Sequence, residues 1–300
     1  MYLQSVKKGK LADSPHVVLI YGPPGVGKSS FGAAAPNPIF MDVEEGTEEL
    51  SVERLPKPRV FADVLGQIQE LTVAQHDYKT LVIDSLDWIE PLVWDQVCQE
   101  DGKSNIELVG GGFAKGYIFA LKKWGAMRDR LIALRQTKKM HIILIAHSQI
   151  KKFDDPTENA NYDRYQIKLH EKAAALWREY CKAVLFANYE TFIKVDENNK
   201  RKQKAFADGA RVMWTERRPG FDAKNRMNLP FKMPLSWESF EAACKQGRKP
   251  EEVLANIEEL LKEVTDEELV KKISGHVMDA NGDLQKLIAF ENRLRTIVGG

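Results

Sequence analysis

The octapeptide GPPGVGKS, Gly22 to Ser29, restricts what this chain can fold into more than any other stretch. It matches G-x-x-x-x-G-K-S at every fixed position. It follows the apolar run VVLIY (Val17 to Tyr21) and precedes the small-residue run SFGAAA. A strand leading into such a loop and then a helix is the setting in which backbone amides curl around an anion. Gly22, Gly25 and Gly27 permit the curl, and Pro23, Pro24, Val26 and Ser30 complete the expected contact set. Lys28 is placed to reach β and γ phosphoryl oxygens, and Ser29 to hold magnesium. A glycine-rich turn without a ligand explains neither the lysine–serine pair nor its position. No N-K-x-D stretch of the kind that selects guanine is present, so the expected ligand is ATP with Mg2+.

The rest of the chain supplies the sheet such a loop needs. PIFMDVEEG reads as a second strand, YKTLVIDS as a third closed by Asp84, and HIILIAHSQ as a fourth. FADVLGQIQELTVAQ has helical spacing, residues 113–137 read as one long helix, and HEKAAALWREY as another before an apolar strand over 184–187. The run from Ile150 to about Lys168 is polar and lacks periodicity. TFIKVDENNKRKQKAFADGARVMW alternates like a hairpin turning at ENNK. Strand and helix taking turns predict an α/β core with a mainly parallel sheet over residues 1–234. From 235 to 300 the texture changes to short helical segments with polar joints, where Ser236 and Thr265 look like N-caps with carboxylates after them. DANGD lacks the loop glycine of a calcium site and reads as a joint between helices.

Bulk numbers exclude several classes. With 44 basic and 43 acidic residues the net charge is +1, so no global field advertises nucleic acid and any such surface must be local. Three scattered cysteines form no disulfide or zinc spacing. No apolar run reaches the roughly 18–20 residues that cross a bilayer, and the expected location is cytoplasmic.

Asp84, at the end of an apolar strand, is expected to accept from Ser29 or from magnesium-bound water, which makes Ser29 and Asp84 the candidate metal ligands. It is followed by Ser85, where many ATPases carry a second carboxylate. The substitute base is Glu44 or Glu45 at the end of the second strand. Strand ends of a parallel sheet share one edge with the phosphate loop, and Glu44 is the favoured residue.

This arrangement resembles the RecA-like recombinase core. A D-A-E-like sequence after the second core strand carries that superfamily's catalytic glutamate, and DVE (Asp42 to Glu44) matches it. A polar group closing the fourth strand senses the γ-phosphate there, and IAHSQ offers His147 and Gln149. The DNA-contacting loop that follows is matched by IKKFDDPTENANYDRYQIKL, with Lys151, Lys152, Arg164, Tyr165 and Lys168 as candidate contacts beside Phe153 and Tyr162. Ring-forming members carry a K-x-R element that reaches a neighbour's nucleotide. DAKNRMNLP supplies Lys224 and Arg226 in that form, with Arg217 and Arg218 in reserve. Over residues 15–230 the chain is similar to phage-type ATPases that act beside single-strand annealing and recombination. That likeness implies a phage-encoded protein in a bacterial host, assembled as a ring or filament on single-stranded DNA. The C-terminal helices would then meet a single-strand-binding or recombination partner.

Further bases lie between Lys115 and Lys139 on the long helix, preceded by VGGGFAKGY, and in NNKRKQK at 198–204. In an assembly the long helix and the 151–168 stretch are expected to line the DNA channel. Two rival readings stay open: a replicative-type unwinding motor, and a slowly hydrolysing, nucleotide-gated adaptor that binds a protein partner.

Overall fold

Apolar runs without polar interruption become strands covered on both faces, and here they build the middle of the sheet. The computed structural model describes residues 14–154, 161–196, 199–246, 250–264, 267–280 and 283–298. The strands are β1 (Val17–Gly22), β2 (Pro38–Asp42), β3 (Glu53–Arg54), β4 (Thr80–Asp84), β5 (His141–Asp154), β6 (Asn161–Ile167), β7 (Ala183–Asp196), β8 (Asn199–Trp214), β9 (Lys224–Asn225) and β10 (Lys232–Pro234). The helices are α1 (Lys28–Ala33), α2 (Phe61–Val73), α3 (Leu86–Asp101), α4 (Lys115–Lys138), α5 (Glu171–Tyr180), α6 (Trp237–Gln246), α7 (Pro250–Leu261), α8 (Glu267–Asp279) and α9 (Leu284–Val298).

The sheet order is β10-β8-β7-β1-β5-β4-β2-β3, with β6 paired to β5 and β9 to β7. From β7 to β3 every neighbouring pair is parallel, while β8, β10, β9 and β6 run antiparallel to their partners. The parallel strands therefore end along one edge, where Gly22 sits beside His147 and Asp42 beside Asp84. Every residue of β1 and β4 is buried. Helices α2 to α5 cover one face through Phe61, Ile68, Val93, Trp124, Leu131 and Trp177. The short α1 covers the other, with Gly32 so close to β4 that a Cβ there would lie 2.8 Å from Val82.

Three features differ from the sequence reading. The stretch after Asp84 is the sixteen-residue helix α3, whose Pro91 and polar face hid its period. The polar run from Ile150 is an antiparallel ribbon in which Ile150 to Asp154 pair with Asn161 to Tyr165 beyond the parallel edge. Its period was masked because both faces carry polar and aromatic side chains. Finally, α6 belongs to the core and not to the appendage expected from residue 235. Its Trp237 and Phe240 rings lie 5.5 and 5.8 Å from Phe31 of α1. A separate cluster begins only at α7, around Val253, Ile257, Leu260, Leu287 and Leu294.

Ser236 does cap α6, its Oγ accepting from the Ser239 amide at 3.2 Å, but a serine and not a carboxylate occupies that third position. The Thr265 cap, two residues of ENNK, two of DANGD and the tip of the β5–β6 ribbon lie outside the described residues.

Because Phe240 is fully buried in the cluster beneath α1, Phe240→Ala is expected to destabilise the core by about 3–5 kcal/mol. Urea unfolding of the full chain measures it. A helix belonging to a peripheral unit would leave the main transition unmoved.

Candidate nucleotide site

The loop after β1 adopts the conformation its glycines allow. Gly25 and Gly27 have φ of 74° and 109°, and a Cβ on Gly22 would sit 2.1 Å from the Ala187 carbonyl oxygen. A side chain at Gly22 would push the loop off β7, and one at Gly27 would strain it. Lys28 is buried, and its Nζ donates to the carbonyls of Gly22 at 3.1 Å and Pro23 at 2.9 Å. Burial lowers its pKa, while the carboxylates of Asp84, Asp87 and Glu44 pull the other way. The ammonium thus faces three acids at the mouth of the loop.

Asp84 leaves the sheet one strand beyond β5 and accepts from Ser29 Oγ at 2.6 Å. It is 4% exposed, and burial raises its carboxyl to about 6, with the Ser29 hydrogen bond working against the rise. Two adjacent hard oxygen donors suit magnesium, which takes the rest of its shell from phosphate and water. Among the described residues no group of three His, Cys, Asp or Glu offers an all-protein metal cage.

The segment after β2 sorts its two glutamates. Asp42, buried at the strand's end, accepts from the amides of Glu45 at 2.8 Å, Gly46 at 3.3 Å and Thr47 at 3.2 Å, and from the Thr47 hydroxyl. The Val43 amide donates to the Asp84 carbonyl at 2.7 Å. This turn sends Glu45 outward to an exposed pair with Lys57 at 2.6 Å. Glu44 turns inward, its Oε2 3.8 Å from His147 Nε2. His147 in turn meets Asp87, which accepts from its amide at 2.9 Å and lies 3.0 Å from its ring Nδ1. Gln149 sits two residues further on, donating to the Ile167 carbonyl at 3.1 Å, so it ties the two strands of the ribbon.

Three side chains at the site went unread in the sequence. Asp87 lay in a helix that was itself missed. Tyr189 and Arg211 sit on paired strands beside the phosphate loop. The Tyr189 hydroxyl donates to the Gly25 carbonyl at 3.4 Å, and Arg211 packs against Gly27. Only the pairing of these two positions across β7 and β8 could have pointed to them.

Other expected residues are placed elsewhere. Arg164 is 5% exposed, donates to the Phe221 carbonyl at 3.1 Å and lies over the Phe153 ring at 4.7 Å. Tyr165 is half-buried, its ring 5.1 Å from Phe186 and its amide bonded to the Gly220 carbonyl. Both pack the base of the ribbon against the Phe221 segment, so neither presents a free surface to DNA. Lys151, Lys152 and Lys168 are exposed. Lys224 donates to the carbonyls of Arg178, Glu179 and Cys181 at 2.7, 3.0 and 2.7 Å, closing the C-terminus of α5 at the edge opposite the loop. It does not reach the phosphates of its own subunit, and neither does Arg226, whose amide bonds the Lys182 carbonyl at that same edge. On α4, Arg130, Arg135 and Lys138 donate to the carbonyls of Leu65, Pro15 and Ala74. Lys123 and Arg128 pair with Glu100 and Asp129. Five of the eight bases between Lys115 and Lys139 are therefore engaged within the subunit.

The raised Asp84 carboxyl carries a measurable consequence. A folded-state pKa above the ordinary carboxylate value makes the protein most stable with Asp84 protonated, and that stability is lost as pH rises from about 4 through about 6. Asp84→Asn is expected to stabilise the nucleotide-free chain by up to about 3 kcal/mol at pH 7.5 and by little at pH 4. Urea unfolding at the two pH values checks it.

Among curated proteins none matches the chain. Among solved structures, the crystal structure of the RadB recombinase is similar at 16% identity, covering 68% of this chain and 82% of that one with a TM-score of 0.38. No helix among the described residues is long and apolar enough to cross a membrane. The AAA domain family AAA_24 matches residues 14–227, a span that holds the phosphate loop, Asp42, Glu44, Asp84, His147 and the ribbon. With its mainly parallel sheet and phosphate loop, the chain has a P-loop NTPase core and belongs to this AAA domain family.

Proposed function

We propose that the protein is an ATPase of DNA recombination or single-strand annealing, in which hydrolysis resets a grip on single-stranded DNA. The observation that carries the hydrolytic half is the meeting of Ser29, Asp84, Lys28 and Glu44 at one sheet edge. The loop amides and Lys28 bind the phosphates. Ser29 and Asp84 would hold Mg2+, which would supply positive charge to offset that of the phosphates. Glu44 takes a proton from water as the water oxygen bonds to the γ-phosphorus and the bond to the leaving ADP oxygen breaks. Arg226, exposed at the opposite edge, is free to serve the nucleotide of a neighbouring copy, whereas Lys224 would first have to release its helix cap.

Support for the DNA half is local. The ribbon projects past the edge that holds the nucleotide site, with Lys151 and Lys152 exposed on it. Beside its root, the Tyr117 ring stacks on His170 at 4.1 Å, bringing the start of α4 alongside. There Phe113, 94% exposed, follows three glycines with positive φ. Exposed bases and an exposed aromatic ring together suit an unpaired strand, with charge on the phosphates and the ring on a base.

Glu44→Gln should keep ATP binding and lose about 10²–10⁴-fold in kcat, whereas Lys28→Ala should lose binding. ATP hydrolysis rising with single-stranded DNA, and faster than linearly with protein concentration, would support the assembled DNA-dependent enzyme. A flat response to both would leave the adaptor. Replacing Lys151 and Lys152 with Ala should reduce the salt slope of single-stranded DNA binding by about 1–2, measured by fluorescence anisotropy.

A further inference from the structure

Asp87 faces Lys28 but holds neither phosphate nor magnesium in the machinery described above; it organises the end of β5. Its side chain is 3% exposed. One oxygen accepts from the His147 amide at 2.9 Å and the other lies 3.0 Å from His147 Nδ1. Lys168 Nζ also faces this second oxygen at 3.8 Å, and the Lys168 amide bonds the His147 carbonyl at 2.9 Å. A carboxylate in this position only accepts, so the ring nitrogen facing it must carry the proton. In the neutral ring the far nitrogen, Nε2, presents a lone pair, and Glu44 Oε2 lies 3.8 Å from it. Two acceptors that share one water, each taking one of its hydrogens, sit about 4–4.5 Å apart at ordinary hydrogen-bond lengths, so this pair has to open by about half an ångström to take a water between them.

We infer that Asp87 is a positioning residue that fixes His147 as the Nδ1–H tautomer, so that His147 Nε2 and Glu44 together hold the attacking water by its two hydrogens. With both hydrogens occupied, the water oxygen turns a lone pair outward to the γ-phosphate. Glu44 takes one proton as the oxygen bonds to phosphorus and the ADP oxygen leaves. The other hydrogen stays on the new phosphate. This inference rests on the ATPase reading and adds to it a reason for a histidine at this position.

Asp87→Asn separates the tautomer from the packing. Both His147 groups that face Asp87 are donors in the native arrangement, and the backbone one cannot change. In the isosteric amide, Oδ1 therefore keeps the His147 amide and the NH2 group faces the ring. The ring satisfies that donor only by moving its proton from Nδ1 to Nε2, which turns a donor toward Glu44 and displaces the shared water. Expected for Asp87→Asn are an Nε2–H ring, a kcat about 10–100-fold lower, and a KM for ATP within about twofold, since the phosphates rest on the loop.

A glutamine carries its acceptor on an amide that needs no tautomer. In a His147→Gln chain, Asp87→Asn should therefore change kcat by less than about twofold, a coupling read from the double-mutant cycle. The full chain labelled with 15N-histidine gives the ring's tautomer by NMR, the His147 signals being those that vanish in His147→Gln. A wild-type ring protonated at Nε2 would overturn the inference without recourse to any Asp87 variant. So would an unchanged kcat in Asp87→Asn, or an equal loss on both backgrounds, and either would leave the ATPase reading intact. A wild-type chain that hydrolyses no ATP would overturn both.

Discussion

A carboxylate held out of water beside a buried ammonium is the constraint on which the site depends. Asp84 is costly to ionise where it sits, and so is Lys28, because burial works against the charged form of each. Together they are tolerable, and a magnesium-bound nucleotide brought between them would relieve both. The fold spends its best-packed strands on keeping them there. β4 is buried along its whole length and delivers Asp84, and β1 does the same for the loop. The intervening β5 fixes the spacing between the two, paired in parallel with both. Such a pair stores part of the binding energy for its ligand at the expense of the free protein's stability, the usual balance at a functional site.

The second constraint is a turn. Asp42 gathers three amides and a hydroxyl from the five residues after it, so the chain reverses within one residue of the sheet edge. Glu44 is left pointing at His147 while Glu45, at φ 63°, is carried outside. The aspartate of DVE thus sets the backbone geometry that places the glutamate. Removing the first would misplace the second without touching the nucleotide.

How much of this was legible follows from what each signal rests on. The phosphate loop, Asp84 and the core strands were readable because glycine spacing and uninterrupted apolar runs have one physical meaning in that order. Glu44 could be named but not separated from Glu45, since the choice belongs to hydrogen bonds made by Asp42. α3 escaped because a proline in its second turn and polar residues around it blur the helical period. Arg164 and Tyr165 were misread for a different reason. A basic or aromatic residue in a polar stretch looks the same whether it faces solvent or packs on a distant segment, and Phe221, 57 residues on from Arg164, and Phe186 supplied that packing. Lys224 shows the same limit, because a cation beside a helix end is invisible until the helix end is known.

The distribution of positive charge carries the last consequence. Most of the bases on α4 that looked available are spent on carbonyls or acids of the same subunit, and Arg164 and Lys224 are spent likewise. With a net charge of +1, little surplus is left for a broad basic face. Any grip on a phosphate chain must therefore come from a few residues placed close together, and the exposed lysines on the ribbon are such a group. A grip of that size is weak in one subunit, since each phosphate contact adds only a modest salt-dependent increment. Repeated along a strand by several copies it becomes strong, because the second and later contacts are made at high effective concentration. Under the proposed function, a site whose opposite edge carries an exposed Arg226, and whose contact with DNA would be this small, would work best with copies side by side. Assembly would then serve the binding of the strand as much as the chemistry of the nucleotide.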